Sequence, residues 1–445
     1  MNDMILLMDN YGNDSKSLHT SFRMAGIDCP TLVIDDDGFL PEDVTSVFGF
    51  FLGDFTNAPN VPGRPRYFNE VVVPDYWEIS GTNNNGKIHD LTRERGRIFY
   101  AEPTHRRLVK IVDWLDERGI ARVSDHYNRY GAIFAKTIFN EKGQRVNKAY
   151  FDADGREIIV ENFVTGDIIL NEGNGVKFFR NRVEFIAYLL TRAPFQGKRI
   201  CFNTLSTSFF VTQRIPAEAT KGDILFWQEP ERGDIPGNMQ VILNGQANRA
   251  ATIYVQKRQA YDRLLALGAN PAVLHSKGYV YPFARENGHR KEVLICTNSD
   301  NVEHCEELIK ALPELHFHIA ALTEMSSKLM GKGVYENVSL YPGVKPKVLD
   351  SLFAKCDWYF DINHGNEIVS ATQQAFLNNQ LILAFSETIH GRNYITDENI
   401  YPAAECDRMI ADVKKLLADS TGFEKLLGRQ REAAYSEDVG AYLNL

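Results

Sequence analysis

The chain has no C-x-x-C pair, no apolar run long enough to cross a bilayer, and no excess of basic charge. Each absence excludes something. Its six cysteines (Cys29, Cys201, Cys296, Cys305, Cys356, Cys406) are scattered, several in or beside apolar runs. They therefore read as reduced core thiols rather than as a disulfide framework or a metal cluster. A net charge of −9 argues against a nucleic-acid partner, which needs a basic face. No basic segment followed by an apolar stretch opens the sequence, so no secretory leader is expected. With the reduced thiols, this points to the cytoplasm. His89, His105, His126 and His275 lack metal-ligand spacing, and His316-x-His318 is explained by edge-strand packing. Ser206-Thr207-Ser208 lacks the Gly-x-Ser-x-Gly frame of a serine nucleophile. No metal, no cofactor and no catalytic residue is expected.

What is present is a soluble-protein composition, 44% hydrophobic and 24% charged, over 445 residues. That length exceeds one ordinary core and fits two or three domains. Short apolar runs at Met4–Met8, Thr31–Asp35 and Val47–Leu52, with a helix over Ser15–Ala25, indicate a parallel sheet covered on both sides. From Arg66 to about Asn171 the texture changes to short segments joined by tight-turn residues: Asn83-Asn84-Asn85-Gly86, Lys142-Gly143 and Asp154-Gly155. These are hairpin signals. The pattern predicts an antiparallel meander, interrupted by a helical stretch at Thr104–Arg118. The α/β alternation returns with a helix over Arg182–Thr191, strands at Arg199–Phe202, Gly222–Trp227 and Met239–Leu243, and a helix over Val255–Leu267. A second α/β series starts near Arg290, with a helix predicted over Glu367–Leu377. The expected fold class is α/β: two Rossmann-like domains with an antiparallel β-meander domain inserted in the first. Expected boundaries are 1–60 and 176–280 for the first Rossmann-like domain, 61–175 for the insertion, and 281–445 for the second domain with its C-terminal helices. Gly278-Tyr279-Val280-Tyr281-Pro282 reads as the linker between the halves.

Four stretches carry a resemblance: Gly26-x-x-Cys29-Pro30-Thr31-Leu32-Val33-Ile34, Asp37-Gly38-Phe39-Leu40-Pro41-Glu42-Asp43, Asp361-Ile362-Asn363-His364 with Asn366-Glu367-Ile368, and Ala384-Phe385-Ser386-Glu387-Thr388-Ile389-His390. On these the chain resembles retaining glycosyltransferases of the GT-B type, and within them the GtfB family of stabilising subunits from the accessory Sec system's protein O-GlcNAc transferase. The likeness covers nearly the whole length. It implies a Glu-x7-Glu pair for the donor sugar and its ribose, where a carboxylate can accept two hydrogen bonds from a diol. Here Asn366 and Gln374 stand at that spacing, and sliding by one gives Glu367 and Ala375. It also implies an Arg-x4-Lys pair for the diphosphate. The corresponding loop, Thr297-Asn298-Ser299-Asp300-Asn301-Val302-Glu303-His304, has neither cation and two acids. A diphosphate there would meet repulsion.

The resemblance then implies a non-catalytic subunit that stabilises a catalytic subunit, GtfA, and binds the Ser/Thr-rich polypeptide of a serine-rich repeat adhesin for O-glycosylation before export. It also implies association with the inner face of the membrane, which the basic cluster Arg93, Arg95, Arg97, Arg106 and Arg107 could serve if it is not simply a solvated face. The rival reading is an active retaining UDP-sugar-dependent transferase with Glu367 as its remaining acid. His364 to Glu367 can be a strand-to-helix turn, with Asn366 capping a helix that begins at Glu367, or a polar contact to acceptor or partner. Tyr76, Trp77, Tyr127 and Tyr130 on the meander are candidates for a peptide-binding face.

Overall fold

The computed structural model describes residues 3–56, 61–173, 175–217, 222–443 and 445, in two compact units that divide between Lys277 and Gly278. The first unit is organised by a seven-stranded sheet. Met4–Met8, Thr31–Val33, Arg199–Phe202 and Asp223–Trp227 are short and almost wholly buried, as strands covered on both faces must be. In space the order is Leu274–Ser276, Ala250–Val255, Asp223–Trp227, Arg199–Phe202, Met4–Met8, Thr31–Val33 and Val44–Ser46, all parallel. Strand order reverses where Met4–Met8 lies beside Arg199–Phe202. That reversal is the switch point at which open α/β sheets present a crevice.

Between Val44–Ser46 and Arg199–Phe202 the chain builds ten antiparallel strands in sequential order, from Glu78–Gly81 to Gly175–Phe179. Its turns use left-handed glycines, such as Gly143 (φ 73°) and Gly155 (φ 80°). Phe134, Ala135, Tyr150, Ile159, Ile168, Leu170 and Phe179 from this sheet join the core of the seven-stranded sheet. Tyr150 stacks on Phe48 with ring centres 4.6 Å apart. Val71, Ile88, Ile98, Tyr100, Val109, Val112 and Tyr127 close a second, smaller core.

Several sequence expectations are corrected here. The predicted helix over Thr104–Arg118 is a strand, Val109–Leu115, after a single 3-10 turn that the left-handed Arg107 ends. Pairing on both sides, to Arg93–Tyr100 and Ala121–Tyr127, overrides the local signal. Val47–Leu52 is not a strand; the strand is Val44–Ser46, and Gly49–Phe51 is a 3-10 turn. Met239–Leu243 belongs to a helix, Gly237–Leu243, and the helix predicted from Val255 starts at Arg258, after the strand Ala250–Val255.

The second unit holds a six-stranded parallel sheet in the order Val338–Tyr341, His316–Ala321, Glu292–Thr297, Trp358–Asp361, Leu381–Phe385 and Ile400–Tyr401. Val293, Ile295, Phe317, Trp358 and Phe360 point into one apolar layer, and Leu294, Cys296, Tyr359 and Ile382 into another. The segment expected as a linker is tied down within this unit: Tyr279 and Val280 are buried, and the Tyr279 N–H donates to the Tyr435 carbonyl at 2.7 Å. A methyl group on Gly278 would stand 1.9 Å from that carbonyl oxygen, which explains the glycine. The whole is the GT-B plan: two Rossmann-type units, with an antiparallel sheet inserted in the first.

Candidate functional site

In the second unit the loops after Glu292–Thr297 and Trp358–Asp361 leave from neighbouring strands. These flank the place where a GT-B transferase would take its donor. Here they close on each other. Val302 and Asn363 form an antiparallel bridge; Glu303 N donates to Ile362 O at 2.8 Å and His364 N to Asn301 O at 3.0 Å. Asn363 is buried and serves as the fastening: its Oδ1 accepts from Thr297 Oγ1 (2.8 Å) and Gly365 N (3.0 Å), while its Nδ2 donates to Gly365 O (3.1 Å). A Cβ on Gly365 would lie 1.9 Å from Asn298 Oδ1, so the glycine lets one loop seat against the other. Side-chain and backbone amides thus tie the two loops together.

Asn366, Glu367 and Gln374, the expected donor-pocket positions, are all exposed. Asn366 and Glu367 lie in the loop; Gln374 is on the helix. That helix is Ala371–Leu377 and begins four residues later than expected. Val369 (φ 48°) and Ser370 (φ 51°) are successively left-handed, a conformation that excludes both from the helix and costs each about 1–2 kcal/mol. Asn366 therefore does not cap it. Glu367 does, from outside, with Oε1 accepting from Thr372 N at 2.8 Å. His364 is engaged with the Glu303 carboxylate.

His390, which sequence reasoning quoted only for resemblance, holds the closed loop. Its Nδ1 meets Asp361 Oδ1 and its Nε2 meets Gly365 O, both at 2.7 Å, so both ring nitrogens face acceptors. The hydrogen bond donated to the Asp361 carboxylate, against the opposing effect of burial, raises the imidazole from 6.5 to about 9. A raised pKa stabilises the fold fully below the unfolded value of 6.5, and the contribution disappears as pH climbs through about 9. We expect thermal melts of the full chain to lose about 2 kcal/mol from this source between pH 6.5 and 9.5, after allowance for the solvent-facing part of the ring. In His390→Gln that pH slope should flatten; an unchanged slope would remove His390 as its cause.

A second polar assembly lies at the switch point of the first unit. Asn203, Gln228 and Gln256 each follow a buried strand directly and are themselves buried. Asn203 Nδ2 donates to Gln228 Oε1 (2.9 Å), and Gln228 Nε2 to Gln256 Oε1 (2.8 Å). Asn203 also accepts from Asp9 N at 3.1 Å. Beside this amide chain a cavity of about 470 Å³ is lined by Asp9, Thr204, Ser206, Trp227, Glu229, Arg232 and Asn238. Burial raises the Asp9 carboxyl above its ordinary range, partly offset by Thr204, and Asp9 Oδ1 has no hydrogen-bond partner among the described residues. Sequence reasoning missed this group. Its signal was legible: a polar residue immediately after each of four parallel strands.

The aromatic candidates on the meander fare unequally. Tyr76 is 96% exposed at a left-handed φ of 68°. Trp77 is half-buried with Arg95 over its ring at 5.4 Å, and Tyr130 is half-buried with Arg129 over its ring at 5.8 Å. Tyr127 is corrected: it is 4% exposed and part of the small core, so it offers no surface to a peptide. Members of the basic cluster are engaged within the sheet. Arg97 and Lys87 both pair with Glu94, and Arg107 donates to Asn83 at 2.9 Å.

Two Rossmann-type units, with an antiparallel sheet inserted in the first, define a chain of glycosyltransferase fold. Comparison with known proteins agrees. Family models match in chain order: the GtfB N-terminal domain over 5–51, the GtfB middle domain over 77–180, the GtfB third domain over 182–267, and the GftB/GlyA-F C-terminal domain over 293–430. The UDP-N-acetylglucosamine–peptide N-acetylglucosaminyltransferase stabilizing protein GtfB of Streptococcus agalactiae is 42% identical, across 99% of this chain and 100% of its own. The protein of that name from Streptococcus gordonii is 40% identical, across 99% and 97%. A chain in the crystal structure of a GtfA/B complex bound to UDP and GlcNAc superposes with a TM-score of 0.91 at 40% identity, covering 99% of this chain and 98% of that one. This chain belongs to the GtfB family.

Proposed function

We propose that the chain is a non-catalytic subunit. It stabilises a catalytic O-GlcNAc transferase subunit of the GtfA kind and holds the Ser/Thr-rich acceptor polypeptide of a serine-rich repeat adhesin. The observation that carries this reading is the bridge between Val302 and Asn363, which ties together two loops of the second unit, one of them carrying Asp300 and Glu303 where the family pattern expects cations. A nucleotide diphosphate calls for cations when it leaves water, and this loop supplies Asp300 and Glu303 instead. The names of the relatives, which call them stabilizing proteins, support the same assignment.

A partner needs a surface. The last strand of the antiparallel sheet, Gly175–Phe179, is exposed along four of its five residues. Val176 and Phe178 on it, with Ile169 paired to Phe178 on the neighbouring strand, are apolar and open to solvent. Such a group suits a large partner better than a flexible chain. The polar crevice with Asp9 and the amide chain suits an extended hydroxyl-rich polypeptide, whose ordering costs entropy that a second subunit offsets by raising local concentration.

Three samples test the assignment: the chain alone, the catalytic partner alone, and both, each with labelled UDP-GlcNAc and an unglycosylated Ser-rich acceptor. Transfer is expected with both, little with the partner alone, and none with this chain alone. Under the rival reading, an active retaining transferase, the chain alone would transfer and Glu367→Gln would abolish it. Glu367 Oε1 is occupied by the Thr372 amide, which speaks against that role.

A further inference from the structure

The same loop that lacks diphosphate cations brings three metal-ligand types together. His304 precedes the helix Cys305–Ala311, Glu307 lies in its first turn, and Cys406 is the first residue of the helix Cys406–Ala418. A nitrogen of His304, a carboxylate oxygen of Glu307 and the Cys406 sulfur all lie within 4.8 Å of one another. No other such grouping of three occurs among the described residues. We propose that His304, Glu307 and Cys406 bind a divalent ion of the zinc class, leaving its fourth position to water or a small anion.

The donor set selects the metal. One imidazole, one carboxylate and one thiolate suit a borderline-soft ion that accepts tetrahedral geometry, and they are a poor set for magnesium or calcium, which want oxygen. Around a tetrahedral zinc, ligand atoms stand roughly 3.2–3.6 Å apart, as bond lengths of about 2.0–2.3 Å require. Side-chain rotation covers the difference. The hydrogen bond of 2.7 Å between His304 Nδ1 and Glu307 Oε2 would open as both atoms turn to the ion. The remaining nitrogen, His304 Nε2, is 3.4 Å from Glu303 Oε1, and Glu303 also engages His364. A carboxylate behind a ligating imidazole is the usual orienting partner. Glu303 is therefore a positioning residue.

Charge fits too. Thiolate and carboxylate neutralise the ion, and Cys406 loses its thiol proton to solvent on binding. Two neighbouring lysines, Lys310 and Lys332, are both drawn to Glu306. An adjoining cavity of about 290 Å³, lined by Asp300, His304, Glu307 and Lys328 among others, gives access. The ion would staple the closed donor loop to the C-terminal helix 102 residues along the chain. This departs from the sequence expectation that all six thiols are inert core groups. It does not depend on whether the chain is catalytic.

The test uses the full chain, treated with chelator and then titrated with Zn2+ and with Co2+. One equivalent of zinc per chain, at micromolar affinity or tighter, is expected, with a thiolate-to-cobalt absorption band for the cobalt form. Cys406→Ser should abolish that band. His304→Gln should weaken zinc by more than Glu303→Gln, for which about 10–100-fold is expected. Wild-type chain that takes up no stoichiometric zinc overturns the proposal whatever the variants do. So does zinc affinity that is equal in the wild type, Cys406→Ser and His304→Gln, the outcome of a mere surface ion pair.

Discussion

Asp357→Ala is expected to destabilise the second unit by about 3–5 kcal/mol, the scale for stripping the acid from a buried charge cluster. Asp357 is fully buried and collects five donors: Arg285 Nη1 (2.5 Å), Arg290 Nε (3.0 Å) and Nη2 (2.8 Å), Gly288 N (3.0 Å) and Arg290 N (2.6 Å). Burial alone would raise its pKa; the arginines and amides reverse that and hold it below the ordinary carboxylate range. The alanine variant would leave two guanidinium groups and two amides facing a void. The cluster sits where the chain enters the first strand of the sheet, so the damage should spread to Glu292–Thr297 and Trp358–Asp361. Chemical denaturation of the full chain, followed by the Trp358 environment, measures it. A loss below about 1 kcal/mol would mean that water relieves the cluster and that Asp357 is not its keystone.

Arg182→Ala is expected to do comparable damage in the first unit, with a functional consequence. Arg182 opens the helix Arg182–Leu190, reaches Asp35 with Nη1 at 2.8 Å, and holds Glu161 with Nε and with Nη2 at 3.0 Å. Glu161 lies on the antiparallel strand Glu157–Asn162 and is 4% exposed. One guanidinium thus joins the parallel sheet's connections to the inserted sheet. Its loss takes the guanidinium partner from a buried carboxylate and leaves Lys148 on the neighbouring strand to offset that charge, at a cost of about 3 kcal/mol. Arg182→Met combined with Glu161→Gln removes both charges and should recover much of the loss. If the inserted sheet carries the partner, Arg182→Ala should also weaken co-purification of the catalytic subunit, and the double variant should restore it. Recovery of stability without recovery of the partner would separate the two roles of this link.

The parts visible in the sequence were those in which local chemistry and tertiary demand coincide. Buried parallel strands such as Met4–Met8 and Trp358–Asp361 are continuous apolar runs, and the hairpins at Gly143 and Gly155 are marked by left-handed turn residues. Val109–Leu115 was obscured because its burial repeats every third residue, a helical spacing on a twisted strand with register shifts on both sides. The short helices Thr207–Arg214 and Gly237–Leu243 carry too few turns to show a periodic face. For the site, Asn366 and Gln374 at the spacing expected of an acid pair could be read directly. The seating of one loop on the other could not: it pairs Val302 with Asn363 and relies on left-handed Val369 and Ser370, a valine conformation that residue type argues against. Tyr127 could be named only as one of several aromatics on the meander; its place in the small core depends on strand packing that the sequence does not show.

The place of the insertion has a consequence for biosynthesis. Met4–Met8 pairs with Arg199–Phe202, and the contact between Asp9 and Asn203 spans 194 residues. At bacterial or eukaryotic elongation rates the first strand waits about 10–40 s after emerging from the ribosome before its central neighbour exists. Throughout that interval the ten antiparallel strands, which pair with sequential neighbours, can form, while Met4–Met8 has Thr31–Val33 on one side and an open edge on the other. The nascent chain is therefore most vulnerable to aggregation and to chaperone capture at its very beginning, and synthesis beside a partner that is already folded would shorten the exposure.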